Sequence, residues 1–289
     1  MTESNNTRRT PFRARREKDE ENIRIGISQG DVNGIGYEVL LKCFSDNRML
    51  EHCTPILYGS SKVASYHKKL INATDFPFVN IRSAEQAEAH KFNILNIIQE
   101  EVKLDIGQPT EIGGKLAAMS LDYACHDIMH GKLDAIVTNP INKKNIQSEQ
   151  FTFPGHTEYL EASIGDGDKA LMILFSDKIR VARVTTHVPV SRLGEYITKD
   201  AVLDKLFAFN RSLKSDFGIV RPRIAVLSLN PHAGDGGLLG KEEQEVIAPA
   251  IAEAVEKKVV AFGPYAADGF FGNEMYKHFD GVLAMYHDQ

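Results

Sequence analysis

Three histidines fall in one local setting, and that setting suits metal chemistry. His187 follows Val184-Thr185-Thr186 and precedes Val188-Pro189, while His232 follows Leu227-Ser228-Leu229-Asn230-Pro231 and opens Ala233-Gly234-Asp235-Gly236-Gly237. His287 follows Val282-Leu283-Ala284-Met285-Tyr286 and precedes Asp288. Each preceding run reads as a β-strand, so each imidazole is delivered just past a strand end. Ligands of α/β sheets collect outside the carboxyl ends of parallel strands, where three imidazoles can converge on one divalent ion. Three protein ligands leave a position open for a substrate oxygen. A lone loop histidine is usually a hydrogen-bonding residue, and three in the same topological setting weaken that reading.

A fourth histidine lies in Phe153-Pro154-Gly155-His156-Thr157-Glu158, where Pro and Gly fix a turn and His156 and Thr157 offer adjacent polar side chains to a small ligand. His126 and His130 stand at i and i+4 but lack the Glu of an H-E-x-x-H motif, so a solvated helix face is the better reading there. Near the start, Gly30-Asp31-Val32-Asn33-Gly34-Ile35-Gly36 opens a helix without the third glycine of the dinucleotide fingerprint. No Gly-Lys-Ser or Gly-Lys-Thr occurs, so a phosphate-binding P-loop is excluded.

The elements that must position these residues form a repeating pattern. Strands are expected at 24–28, 54–58, 135–138, 170–175, 179–185, 223–229, 259–262 and 281–285. Helices are expected at 37–44, 113–131, 201–214 and 241–257. Alternating strands and crossover helices predict an α/β fold, and Ser176-Asp177-Lys178 is short enough to join an antiparallel hairpin, making one sheet mixed. The length, 289 residues, corresponds to roughly two domains. The expected organisation is a disordered charged tail over 1–22, a first α/β domain over 23–140 and a second over 141–289 that carries the histidines.

Composition narrows the function classes. A hydrophobic share of 43% and a charged share of 25% are ordinary globular values. A net charge of -5 supplies no basic field for nucleic acid or an anionic membrane surface. Neither a secretory signal nor a run long enough to span a bilayer is expected. Three scattered cysteines, Cys43, Cys53 and Cys125, suit a reducing compartment, so the expected location is cytoplasmic.

Pro154 to Glu158, Thr185 to Pro189, Asn230 to Gly237 and Tyr286-His287-Asp288-Gln289 occur in this order, with Thr138-Asn139-Pro140-Ile141-Asn142-Lys143 before them and Gly263 to Asp268 ahead of the last. From about Ile25 to the last residue, the set resembles the 4-hydroxythreonine-4-phosphate dehydrogenase family of pyridoxal phosphate biosynthesis. The resemblance implies a two-domain α/β/α architecture like that of isocitrate and isopropylmalate dehydrogenases, and a homodimer with its active site at the interface. It implies oxidation of 4-phosphohydroxy-L-threonine by NAD or NADP to a 3-oxo acid that decarboxylates. By the same resemblance His187, His232 and His287 hold a divalent metal (zinc, cobalt or magnesium), and His156 and Thr157 contact the small phosphorylated substrate. Asp268 and Asp288 are then the nearest carboxylates for orienting the substrate amine or a proton donor. The family continues past the position of Gln289 into a segment that completes the first domain and brings a Lys, an Asn and an Arg to the substrate. The expectation is therefore a weak catalyst, or a metal- and phosphate-binding protein that catalyses nothing. Dehydrogenation of a phosphothreonate or phosphoerythronate is the enzymatic alternative.

Overall fold

The computed structural model describes residues 23–149, 151–165, 167 and 169–289. The expected tail over 1–22 lies outside the described residues. The chain divides into two compact units, Met1–Ala170 and Leu171–Gln289.

In the first unit, β1 (Arg24–Ser28), β2 (Thr54–Gly59), β3 (Val79–Ile81), β4 (Asn93–Asn96) and β5 (Ala135–Thr138) form one sheet in the order β3-β4-β2-β1-β5. Every pairing is parallel. Parallel neighbours need crossover segments, here α1 (Gly36–Cys43) with α2 (Arg48–His52), α3 (Ser61–Leu70) and α4 (Glu111–Met129). Ile27, Leu57 and Ile94 pack on one sheet face with Leu40 and Leu41 of α1 and Val63 of α3. Ile56, Tyr58 and Leu95 pack on the other face with Ala124 of α4. Burial on both faces is why β2 reads as a continuous buried run. Helix α4 starts two residues earlier than the sequence suggests, because the Thr110 hydroxyl accepts the Gly113 amide and caps it. The boundary expected near 140 falls inside this unit. Beyond β5 the chain turns back to the sheet, with the Asp31 amide donating to the Pro140 carbonyl and the Asn145 amide group donating to Asp31 and Thr110. Helix α5 (His156–Ile164) follows, packing Tyr159 against Leu121 and Phe151.

The second unit is also a five-stranded sheet. Its strands β6 (Ile173–Phe175), β7 (Arg180–Arg183), β8 (Arg223–Leu227), β9 (Val260–Tyr265) and β10 (Gly281–Ala284) run in the order β6-β7-β10-β8-β9. The expected mixed sheet is present: β6 and β7 are antiparallel, closed where the Ser176 amide meets the Ile179 carbonyl at 2.8 Å, and the other pairs are parallel. A short α6 (Leu193–Tyr196) precedes α7 (Lys199–Ser215), whose Val202, Leu206, Phe209 and Leu213 recur at helical spacing and are fully buried. They cover Ala182, Ile224, Val226 and Leu283 together with Ile251 of α8 (Ala248–Glu256). Each such side chain contributes about 1.5–3 kcal/mol of burial. On the opposite face Phe270 of α9 (Ala267–Gly272) packs on Ala225, Leu227, Val282 and Ala284. The helix expected over 241–257 is a π-helical turn, Glu243–Ile247, running into α8.

Candidate active site

Strands β7, β10 and β8 are adjacent and parallel, so their carboxyl ends lie side by side. His187, His287 and His232 stand four, three and five residues past those ends, on neighbouring loops of one sheet edge. All three are exposed. The β7 and β10 loops are tied together, since both the amide and the hydroxyl of Thr185 donate to the Met285 carbonyl, at 3.2 and 2.8 Å. Gln289 makes the second tie, accepting the Met285 amide at 2.6 Å through Oε1 and donating from Nε2 to the Ser228 carbonyl beyond β8. The residue after Asp288 is thus anchored at the centre of this edge.

His232 stands in a strained loop. Residues 232 to 237 all have positive φ, and three of them, His232, Ala233 and Asp235, are not glycine. Glu243 accounts for how this loop is held. Its carboxylate is buried, and Oε1 accepts the amides of Leu229 and Asn230, both at 2.8 Å, while Oε2 accepts from Asn230 Nδ2 at 3.0 Å. Burial pushes the Glu243 pKa up, but the hydrogen bonds from Asn230 and Leu229 outweigh it and hold the group below the usual carboxylate range. The sequence reading missed Glu243. It lies in a π-helical turn, a feature that recurs at functional sites, and its only signal was an acidic pair after the Gly-rich loop.

The two aspartates take different places. The Asp288 carboxylate meets His287 Nδ1 at 2.9 Å, which leaves Nε2 of that ring without a hydrogen-bond partner among the described residues. Asp268 is exposed in the first turn of α9 and accepts the Gly269 amide at 2.8 Å. Among the described residues, no three His, Cys, Asp or Glu side chains come close enough to hold a metal ion. The donor set still fits one. Three exposed imidazoles, two with no hydrogen-bond partner among the described residues and one oriented by a carboxylate, suit a borderline divalent ion.

In the first unit, His156 and Thr157 open α5 and both are half-buried. His156 Nε2 is buried with no hydrogen-bond partner, a polar atom that awaits one. Burial and the nearby Lys143 charge lower the His156 pKa, so the ring is neutral at pH 7. The glycine-rich turn after β1 is structural: Gly30 has φ 68°, and a Cβ there would lie 2.3 Å from the Pro140 carbonyl oxygen. Asp31 accepts the Asn33 amide at 2.9 Å and Asn145 Nδ2 at 2.8 Å, which locks this turn to the segment after β5.

No helix among the described residues is long and apolar enough to cross a membrane. A family model for the pyridoxal phosphate biosynthetic protein PdxA matches residues 51–289. A 4-hydroxythreonine-4-phosphate dehydrogenase of Bacteroides thetaiotaomicron is 56% identical over 272 residues, covering 94% of this chain and 74% of its own length. A Clostridium botulinum relative provisionally named D-threonate 4-phosphate dehydrogenase is 34% identical, covering 92% of this chain and 79% of its own. The crystal structure of a 4-hydroxythreonine-4-phosphate dehydrogenase from Burkholderia phymatum superposes with a TM-score of 0.83 at 33% identity, over 92% of this chain and 81% of that one. The α/β fold, the ordered histidine motifs and these likenesses agree: the chain belongs to the PdxA family and is a dehydrogenase of that family.

Proposed function

We propose that the chain carries out the NAD- or NADP-linked, divalent-metal-dependent oxidation of 4-phosphohydroxy-L-threonine to a 3-oxo acid that loses carbon dioxide, in vitamin B6 synthesis. The observation that carries this reading is the placement of His187, His232 and His287 past the carboxyl ends of three neighbouring parallel strands. These residues would hold the ion, and their nitrogen donors favour zinc or cobalt over magnesium, which prefers oxygen. A divalent ion held there would acidify the substrate's secondary hydroxyl and stabilise negative charge as hydride passes to the nicotinamide and as carboxylate is lost.

The chain's own residues do the rest. Asp288 fixes the His287 ring, and Gln289 and Thr185 hold the strand-end loops at one level. His156, neutral and with an unpaired Nε2, and the Thr157 hydroxyl bind the substrate's polar groups. Asp268 orients the substrate amine. We place the site at the interface of a homodimer. The antiparallel edge strand β6 supports this, with Leu174 and Phe175 exposed by 57% and 70% and Val190 by 69%. Free thiols at Cys43, Cys53 and Cys125 support a cytoplasmic location.

Oxidation of a phosphothreonate is the second reading, favoured by the Clostridium botulinum relative. The test is reduction of NAD and of NADP, followed by absorbance, with 4-phosphohydroxy-L-threonine, D-threonate 4-phosphate and D-erythronate 4-phosphate in parallel. The highest kcat/KM on the first compound supports the proposal. A higher value on either sugar acid moves the assignment to it, and no reduction with any of the three overturns both.

A further inference from the structure

At the carboxyl end of α4 the chain carries a second pair of imidazoles that the proposed reaction does not use. His126 and His130 are one turn apart, both are exposed, and their rings stack with centroids 4.1 Å apart. The hydrogen bonds fix the tautomer of each. His130 Nδ1 lies 2.7 Å from the His126 carbonyl oxygen, which only accepts, so Nδ1 carries the proton and Nε2 the free lone pair. His126 Nδ1 lies 3.2 Å from Oδ1 of Asp127, and a carboxylate likewise takes an N–H. Both Nε2 atoms therefore present lone pairs to solvent, with no protein partner among the described residues.

We propose that His126 and His130 form a surface chelate for a borderline transition-metal dication, Cu²⁺, Ni²⁺ or Zn²⁺. Metal–imidazole bonds of about 2.0–2.1 Å put two adjacent ligand nitrogens about 3 Å apart on an ion, a span that exposed side chains at i and i+4 reach once the two rings, stacked 30° from parallel, turn their edges toward one another. The Asp127 carboxylate orients His126 in the manner of outer partners at metal sites. The negative end of the α4 dipole favours a cation at this terminus. The nearby Lys132 is balanced by Asp127 and Glu85, each at 3.2 Å. Water fills the remaining positions. Magnesium and calcium, which require oxygen cages, are excluded by two nitrogen donors. The chelate lies at the amino-terminal edge of the first sheet, where Asp134 accepts the Arg24 amide just before β5, and so at the opposite edge from Gly30. It is independent of the His187, His232 and His287 reading.

The experiment is equilibrium dialysis of the full chain against Ni²⁺ and, separately, Cu²⁺, comparing wild type with His126→Asn and with His130→Asn. Both rings are exposed, and the metal-free melting temperature of each variant checks that it folds as wild type does. Each single variant is expected to bind one Ni²⁺ fewer per chain, with Cu²⁺ held more tightly than Ni²⁺ as the order of divalent affinities requires. A Ni²⁺ stoichiometry equal to wild type in either variant overturns the two-ligand site.

Discussion

The Thr185 hydroxyl donates to the Met285 carbonyl at 2.8 Å, joining two loops two residues before each reaches a histidine, His187 on one and His287 on the other. Thr185 is 6% exposed, so this bond is made out of water. It ties the two histidine-bearing loops together at the sheet edge. Thr185→Val keeps the shape and removes the donor, and the expected loss is about 1 kcal/mol in urea unfolding. Thr185→Ser, which restores the hydroxyl, should recover most of it. A valine variant as stable as wild type would show that the tie contributes nothing.

Glu243 should matter more than its distance in sequence from His232 suggests. Glu243→Gln removes the charge that three N–H groups point at, and charged hydrogen bonds of this kind are worth about 1.5–3 kcal/mol. The folded-state pKa of Glu243 is depressed, so its contribution is present above the unfolded carboxylate range near pH 4.3 and fades as pH falls below it. Urea midpoints measured down to about pH 3.5 should therefore fall in wild type and less steeply in the variant. Parallel slopes would remove Glu243 from this role.

Much of this edge was legible in sequence, and the reasons are local. Strands β8 and β10 are largely apolar runs and β7 alternates Val and Ala with Arg, and all three lead into Thr, Asn-Pro or Tyr-His, so the histidines fell past their ends by inspection. Strands β3 and β4 were not seen, because Val79–Ile81 has three residues and Asn93–Asn96 has only Ile and Leu between two asparagines. Helix α3 was hidden by its lysines and serines, and its cap is a single Ser60 hydroxyl on the Val63 amide. Glu243 and Gln289 hold loops from elsewhere in the chain, a role set by tertiary contacts that no local pattern announces.

Acid should weaken the fold through two imidazoles, the buried His67 and the half-buried His156. His67 is 3% exposed, stacks on Tyr37 at 5.1 Å and pairs through Nε2 with the Val32 carbonyl. Burial lowers its pKa despite that hydrogen bond, and burial with Lys143 lowers that of His156. Both are neutral in the fold and protonate more readily when unfolded, so stability is full above about pH 6.5 and declines as pH falls through it. Urea midpoints at about pH 7.5 and about pH 5.5 should differ in that direction. His156→Asn should shrink the difference, and an unchanged difference would clear His156.

His156 also separates substrate binding from metal binding. His156→Ala removes the unpaired Nε2, and the expected result is a KM for the phosphorylated substrate raised roughly tenfold, the loss of one hydrogen bond worth about 1.4 kcal/mol. Metal content should not change. Metal loss in this variant would mean that His156 supports the ion and not the substrate.

The central claim is that His187, His232 and His287 act together on one ion that dehydrogenation requires. Its most direct test is the cobalt or zinc content per chain of the wild type and of His187→Ala, His232→Ala and His287→Ala, with the rate of NAD(P) reduction on 4-phosphohydroxy-L-threonine measured on the same samples. The account predicts that each alanine lowers bound metal and rate together, and that the rate with saturating metal stays far below wild type in all three. A variant at any of the three positions that keeps both wild-type metal content and wild-type rate would contradict it.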